Sequence, residues 1–230
     1  MAPHAQAISI VDAVANDLRD RILGGDLTAG TALTEIEIAA TYEVARPTAK
    51  AAIEKLVAEG LLARGTHKTA RVTELGPDSV RDIYRARAYL ESEILRRLAA
   101  IGTVPAGAVQ ANLDIAAAAD GSAMDVVEPD MRFHTSLVDA VGNERISRMY
   151  RSLVSEVRLC MTRVQSLKLL DTGLIQAEHQ RILELIAEGD GAGAALLLDE
   201  HLARARERLV AAIGGEAGPE AHLPSALQLR

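Results

Sequence analysis

From Pro77 onward the chain alternates between long amphipathic segments and short breaks rich in Gly, Pro and Asp, and no other feature constrains its fold as much. The segments predict helices over 77–101, 105–119, 122–141, 143–170, 174–189 and 191–213. Helices joined by loops this short pack against one another as a bundle. The composition agrees, because Ala and Leu are abundant while the 230 residues include one Phe and no Trp.

The first 75 residues follow a different pattern. A four-residue apolar stripe over 8–24 predicts one helix that stops at the glycines that follow Leu23. Thr34 and Glu37 have the spacing of a capping box and predict a second, short helix. Pro47 suits the first turn of a third helix, and residues 61–64 and 69–72 predict two strands around a polar loop. Three helices followed by a hairpin form a winged helix-turn-helix.

The predicted fold is therefore mainly α, with an N-terminal winged helix-turn-helix followed by an all-helical antiparallel bundle of about six helices. We expect the boundaries to give a winged helix-turn-helix domain over 1–75, a helical bundle domain over 76–214 and a loose tail over 215–230. The tail contains Gly and Pro and has no apolar periodicity.

Charge and cysteine content exclude several classes of protein. The net charge is −7, with 25 Lys and Arg against 32 Asp and Glu, so the chain is not a globally basic nucleic-acid binder. Its single cysteine, Cys160, excludes a disulfide framework. No apolar run reaches the roughly 18 residues of a membrane span, and the N-terminus lacks the pattern of a signal peptide. We therefore expect a cytoplasmic protein with no membrane partner.

A local basic patch nevertheless lies in the helix-turn-helix. The N-terminal side chains of the second helix of such a motif contact base edges in the major groove, and residues 61–72 of the predicted wing contain no acid. The candidate DNA-binding residues are Arg46, Thr48 and Lys50 on the helix and Arg64, Thr66, His67 and Lys68 in the wing. The alternative is a protein-binding winged helix on which these charges are simply solvated.

Asp130, His134, His179 and His201 are candidate metal ligands from three predicted helices. Asp130 and His134 are spaced i, i+4, which places carboxylate and imidazole on one helix face. One Asp and three His in a bundle core suit a divalent transition metal. The alternative is that these histidines are solvated or capped and bind no ion.

Several motifs of the first domain resemble those of the GntR family of bacterial transcription regulators. Residues 25–33 resemble the pattern G-x-L-x-x-G-x-x-L, residues 35–39 resemble E-x-x-L-A, and residues 44–53 resemble V-S-R-T-P-V-R-E-A-L. The sequence differs from the last pattern in having Ala45 for Ser, an inverted Pro47-Thr48 pair, and Lys50 for Arg. The resemblance spans residues 10–72 and implies binding to operator DNA.

The second domain resembles the FCD ligand-binding domain of such regulators. Residues 130–134 are similar to D-x-x-F-H, residues 178–182 to E-H-x-x-I, and residues 201–202 to its final H-L. The resemblance implies that the four candidate ligands bind a metal, with zinc favoured and nickel or manganese as alternatives. It also implies a small carboxylate effector, for which Arg87, in an R-x-x-L-E motif, is the first candidate ligand and Arg158 the second. Either arginine could instead form a structural ion pair.

Together these features predict a ligand-responsive transcription regulator that binds a pseudo-palindromic operator as a homodimer. Repression is implied by the resemblance alone. One rival is a metal-dependent enzyme acting on a small organic acid, with the winged helix as an accessory domain. No nucleophile motif accompanies the candidate metal ligands, which weighs against it. The other rival is a scaffolding protein whose wing binds protein.

Overall fold

The structure is a computed structural model that describes residues 9–64, 69–118 and 123–218. The chain divides into two compact units between Glu74 and Leu75. The fold is mainly helical, as predicted, with a winged helix-turn-helix in the first unit and a helical bundle in the second. No helix in these described ranges is long and apolar enough to cross a membrane.

The first unit contains three helices and a small antiparallel sheet. Its elements are α1 (Ile10–Leu23), β1 (Ala32–Leu33), α2 (Glu35–Thr41), α3 (Arg46–Ala58), β2 (Leu62–Arg64) and β3 (Ala70–Val72). The predicted capping box is confirmed, because the Glu37 backbone N–H donates to Thr34 Oγ1 and the Thr34 N–H donates to the Glu37 carboxylate. Pro47 lies in the first turn of α3, as predicted.

The sheet differs from the predicted two-stranded hairpin. Strand β1 adds a third strand, and the order is β1-β3-β2. Arg71 at the centre of β3 pairs with Ala32 on one side and with Ala63 on the other. A two-residue strand carries no alternating pattern of its own, so only its pairing with β3 makes it a strand.

The second unit contains six helices, as predicted, in the part of the chain that the structure describes. They are α4 (Pro77–Ala100), α5 (Ala106–Ala117), α6 (Ala123–Ala140), α7 (Glu144–Ser166), α8 (Thr172–Ala187) and α9 (Gly191–Ala212). The predicted helix over 143–170 was too long, since α7 ends at Ser166 and Lys168 takes a positive φ of 51°. A left-handed residue at that position stops the helix.

Helices α4 and α9 pack antiparallel along their lengths. Near the start of α9, a Cβ at Gly191 would lie only 2.8 Å from the Arg96 Cα, so glycine permits this close approach. At the other end, a Cβ at Gly215 would lie 2.9 Å from the Pro77 Cβ. Between them, the Ser92 hydroxyl donates to Asp199 at 2.8 Å. These contacts fix the register of α4 against α9.

The first residues after α9 contact the bundle. The backbone N–H of Gly218 donates to Glu207 at 2.7 Å, and Arg81 donates to the Glu216 carbonyl at 2.7 Å. These contacts hold the start of the segment that was predicted as a loose tail. Residues 219–230 lie outside the described part of the chain.

Candidate metal centre and nucleic-acid interface

Helix α3 presents one face to the core of the first unit and another to solvent. Its buried side chains are Ala49, Ala52, Ile53 and Leu56. Arg46 and Lys50 are exposed in its first two turns, and Thr48 is partly exposed between them. Because α3 is the second helix of the helix-turn-helix, its N-terminal side chains are the ones that contact base edges. The three predicted residues therefore share the accessible end of the recognition helix.

The wing residues are only partly described. Arg64 ends β2 and forms a 2.5 Å ion pair with Glu54 of α3, so its guanidinium is held against the recognition helix. The predicted Thr66, His67 and Lys68 lie outside the described residues. On β3, Arg71 donates to the Gly30 carbonyl at 2.9 Å, which fixes the strand to the turn before β1.

The four predicted metal ligands lie together in the interior of the bundle. Asp130 and His134 come from α6, His179 from α8 and His201 from α9. One potential ligand atom from each lies within 4.8 Å of those of the others, and no residue of the four is more than 3% exposed. The i, i+4 spacing on α6 places its two ligands on one face, toward α8 and α9.

This cluster lacks the partners that buried polar groups require. Both carboxylate oxygens of Asp130, Nε2 of His134 and both ring nitrogens of His179 are buried without a hydrogen-bond partner among the described residues. Asp130 Oδ1 lies 3.9 Å from His134 Nε2 and 3.7 Å from His179 Nε2. These separations are below twice the metal–ligand bond length of about 2.1 Å. A divalent cation fits this donor set and would satisfy the Asp130 carboxylate, Nε2 of His134 and one ring nitrogen of His179.

The ring of His179 is held by a neighbouring aromatic side chain. Phe133 stacks on it with ring centroids 3.8 Å apart and planes within 2° of parallel. Burial holds the pKa of His179 well below its ordinary value, and the nearby His201 and His134 rings lower it further. The imidazole is therefore neutral, which is the form that binds a metal.

A buried carboxylate orients His134. Its Nδ1 lies 2.5 Å from Glu91 Oε2, which leaves Nε2 directed toward the cluster. The other oxygen of Glu91 accepts hydrogen bonds from Arg87 at 2.9 Å and from the Tyr150 hydroxyl at 2.8 Å. Burial alone would raise the pKa of Glu91, but the charge of Arg87 and the bond with His134 hold it well below its usual range. Glu91 is therefore an anion that fixes the tautomer of a candidate ligand.

A second buried carboxylate, Glu178, orients His201 as Glu91 orients His134. The Nδ1 of His201 lies 2.9 Å from Glu178 Oε2, and Arg204 donates to the other oxygen of Glu178. Arg204 is 1% exposed. Sequence reasoning missed the roles of Glu178 and Arg204. The available signal was the i, i+3 spacing of His201 and Arg204, which places them on one helix face.

The two predicted effector-binding arginines have different surroundings. Arg87 is 1% exposed and lies over the Tyr84 ring at 5.5 Å, and its Nη2 has no hydrogen-bond partner in the described ranges. Burial alone would lower its pKa, but Glu91 raises it above the ordinary value. Arg158 is partly exposed and pairs with Glu128 at 3.0 Å. Only Arg87 is part of the network around the cluster.

Comparison with known families separates the chain into the same two parts. The model for bacterial regulatory proteins of the gntR family matches residues 10–72. The FCD domain model matches residues 82–204, which include all four candidate metal ligands. The chain belongs to the GntR family. It is a GntR regulator with an FCD domain.

Individual relatives agree with this assignment. The Nta operon transcriptional regulator of Aminobacter aminovorans is 24% identical over 81% of this chain and 88% of its own length. The gluconate operon transcriptional repressor of Bacillus subtilis is 28% identical over 61% of this chain and 58% of its own length. A crystal structure of a GntR regulator from Rhodococcus sp. RHA1 has a TM-score of 0.71 and 24% identity, covering 88% of this chain and 98% of that one. At that identity the structure supports the fold alone.

Membership of the GntR family decides between the rival functions. The chain is a DNA-binding transcription regulator and not an enzyme, so the metalloenzyme and scaffold alternatives are set aside. In the FCD domain a buried cluster of one Asp and three His is suited to hold a metal ion.

Proposed function

We propose that this GntR regulator is a ligand-responsive repressor whose FCD domain binds a divalent transition metal and a small carboxylate. The observation that carries the proposal is the buried cluster of Asp130, His134, His179 and His201, whose ligand atoms lack partners among the described residues. A buried carboxylate whose oxygens lack partners among the described residues is costly unless a cation occupies the cluster. A metal there supplies a Lewis acid to which a carboxylate oxygen can bind.

Zinc is the metal that we favour, with nickel and manganese as alternatives. Imidazole nitrogen and carboxylate oxygen suit all three ions, so the donor set by itself does not choose among them. Glu91 and Glu178 would raise the basicity of His134 and His201 and hold their rings in the orientation for binding.

For the DNA, we propose contacts from Arg46, Thr48 and Lys50 in the major groove and from the wing. Arg46 suits guanine through its forked guanidinium, and Lys50 suits phosphate or base edges. Arg64 is held by Glu54 and contributes to the rim of this surface. Thr66, His67 and Lys68 stay predictions from the sequence alone.

We further propose that the regulator acts as a homodimer in the cytoplasm. Two recognition helices on one face of DNA address half-sites about 34 Å apart, so a twofold dimer matches a pseudo-palindromic operator. Repression is favoured because the Bacillus subtilis relative is named a repressor. The effector would act by binding one of two arrangements of the dimer better than the other.

The carboxylate effector needs a cationic partner, and Arg87 is the leading one. It is buried in the network that also contains Glu91 and His134, and one of its nitrogens has no partner in the described ranges. Arg158 is the weaker candidate, because Glu128 already pairs with it at 3.0 Å.

Selection of genomic DNA tests this function. Sheared DNA from the source organism is incubated with the purified protein, with and without added zinc, and the retained fragments are sequenced. We expect a few fragments that share a short palindrome, and the genes beside them would nominate the effector. Retention that ignores sequence in both conditions would contradict the proposal. Lys50→Ala should weaken this selection, because it removes a proposed DNA contact. Lys55→Ala, at the far end of α3 in an ion pair with Asp12, is its matched control and should retain the same fragments as the wild type.

A further inference from the structure

A groove of about 540 Å³ lies between α4 and α9 on the surface of the bundle. Its lining includes the small or apolar side chains of Ala88, Leu202 and Ala203. Tyr89 lies beside them and is 79% exposed, whereas the other four aromatic residues of the chain are buried or partly buried. An exposed tyrosine beside an apolar groove is typical of a surface that a partner covers.

Four charged side chains flank Tyr89 on the same face of α4. Arg85 and Glu93 lie four residues before and after Tyr89, and Asp82 and Arg96 lie seven residues before and after it. Spacings of four and seven residues place all five side chains on one helix face. Each of the four charged side chains is at least 51% exposed. Along the helix the order is therefore negative, positive, Tyr89, negative, positive.

This order of charges is complementary to itself when a second copy of α4 runs antiparallel to the first. A twofold axis at Tyr89 brings Arg85 level with Glu93 of the second copy, at about 6 Å along the helix from the axis. The same axis brings Asp82 level with Arg96 of the second copy, at about 10.5 Å. Two parallel copies would instead bring each charge level with its own equivalent. The charges therefore favour the antiparallel arrangement.

Helix α9 repeats this polarity along the other side of the groove. The hydrogen bond between Ser92 and Asp199 fixes the register of α9 against α4. Arg206 therefore lines the groove on the side toward the start of α4, and Glu200 lines it on the side toward the end of α4. Both helices thus have a basic residue before the level of Tyr89 and an acidic residue after it. The same twofold axis brings the basic side of one copy to the acidic side of the other.

The face formed by α4 and α9 is large enough for a stable dimer. Helix α4 has 24 residues and is about 36 Å long. Two adjacent helices with their side chains are about 20 Å wide. The face therefore offers roughly 700 Å², which is close to the ~800 Å² that each partner contributes to an interface of standard size.

We propose that two copies of this chain associate through the outer face of α4 and α9, with α4 antiparallel to its equivalent and the twofold axis at Tyr89. This inference rests on the proposed function, because it names the surface of the proposed homodimer. The Tyr89 ring of each copy packs into the groove of the other, and the charged pairs on either side set the register.

Sedimentation equilibrium of the full chain, with zinc and without DNA, tests the charged pairs. Arg85→Glu places acidic side chains opposite each other and Glu93→Arg places basic ones opposite each other, so each variant alone should dimerise at least about tenfold more weakly than the wild type. An equal mixture of the two variants restores opposite charges on both sides of the axis and should dimerise as the wild type does. This recovery also shows that both variants are folded. Charges are reversed because neutralisation, as in Glu93→Gln, removes only exposed ion pairs that contribute little.

Tyr89→Ala tests the centre of the proposed surface. Loss of a tyrosine ring at the centre of an interface should weaken dimerisation about tenfold or more. Arg151→Glu is the control for the charge reversals, because Arg151 lies on α7 in an exposed ion pair with Asp139. Its side chain is 57% exposed, which matches the 58% of Arg85. Arg151→Glu should dimerise as the wild type does.

The outcomes separate this inference from the proposed homodimer. A wild-type dimer that neither charge reversal weakens would overturn the α4 and α9 surface and leave the homodimer and DNA binding standing. Two weakened variants whose mixture does not recover would overturn the antiparallel pairing of charges. A wild-type protein that stays monomeric would contradict the proposed homodimer itself, and this surface with it.

Discussion

The two units of this regulator carry their functional residues in opposite settings. In the first unit Arg46 and Lys50 are exposed on α3, while the apolar side of that helix holds the fold together. In the second unit the candidate ligands and their partners are buried in the interior of the bundle, within its apolar core. Function and stability are therefore separable in the DNA-binding unit and inseparable in the FCD domain.

The largest effect is expected for Glu91, because this buried residue contributes both to the stability of the bundle and to the candidate metal centre. Glu91→Gln removes the partner of Arg87 and weakens the bond that orients His134. Breaking a buried pair on one side typically costs about 3–5 kcal/mol of unfolding free energy. Loss of the carboxylate behind a metal-binding histidine typically costs about ten- to a hundredfold in metal affinity. Chemical denaturation and zinc competition with a chelator measure the two effects.

Glu93→Gln is the control for that experiment, because Glu93 lies on the same helix with a side chain that is 74% exposed. Glu93→Gln should change neither the free energy of unfolding nor the zinc affinity. If Glu91→Gln lost zinc affinity while keeping full stability, the claim that stability and function are inseparable in this unit would be wrong.

Asp130→Asn should change stability in opposite directions with and without metal. In the metal-free protein it removes a buried charge whose oxygens lack partners among the described residues, so we expect about 1–3 kcal/mol of stabilisation. With zinc present, metal binding stabilises the wild type but not the variant. The wild type is then the more stable of the two proteins. Thermal unfolding with chelator and with zinc gives both comparisons. Asp139→Asn, on the same helix in an exposed ion pair with Arg151, should show no such reversal.

Thr34→Ala tests whether the stability of the first unit can be lowered without changing metal binding in the second. It removes the capping hydrogen bonds at the start of α2, for a cost of about 1 kcal/mol. Metal affinity should be unaffected, because Thr34 belongs to the other compact unit. Calorimetric unfolding shows the stability change, and an altered zinc affinity would mean that the units are coupled in a way that this account does not include.

Arg46→Ala should have the smallest effect on stability and a clear effect on DNA. Exposed substitutions of this kind usually change stability by no more than about 0.5 kcal/mol. A bidentate arginine contact with guanine is worth about 1–3 kcal/mol, so operator affinity should fall about tenfold or more. Fluorescence anisotropy with a DNA fragment retained in the genomic selection measures the operator affinity. Unchanged operator affinity would mean that α3 is not the recognition helix.

The sequence predicted the helices well because their apolar periodicity and glycine breaks are local properties. The capping box at Thr34 and the i, i+4 pair on α6 are local in the same way. The positions of His179 and His201 beside that pair were implied by the family resemblance and not by spacing. Strand β1 escaped prediction because pairing with β3 alone defines it.

The network around the cluster was beyond sequence reasoning for a physical reason. Tyr150 and Glu91 are 59 positions apart, and Arg204 and Glu178 are 26 apart, so no periodicity links either pair. An arginine in a helix is usually exposed, and the i, i+3 spacing of His201 and Arg204 places them on one helix face without naming Glu178 as the partner of either. The relation between these residues exists only after α4, α8 and α9 have packed.

The most direct test of the central claim is the metal content of the purified protein. Mass spectrometric metal analysis of the wild type, after incubation with zinc and removal of free ion, should give one zinc per chain. His179→Ala should lose that zinc, while Asp139→Asn should retain it. A wild-type protein without bound metal, or a His179→Ala variant that still holds one ion per chain, would contradict the assignment of this cluster as the metal centre.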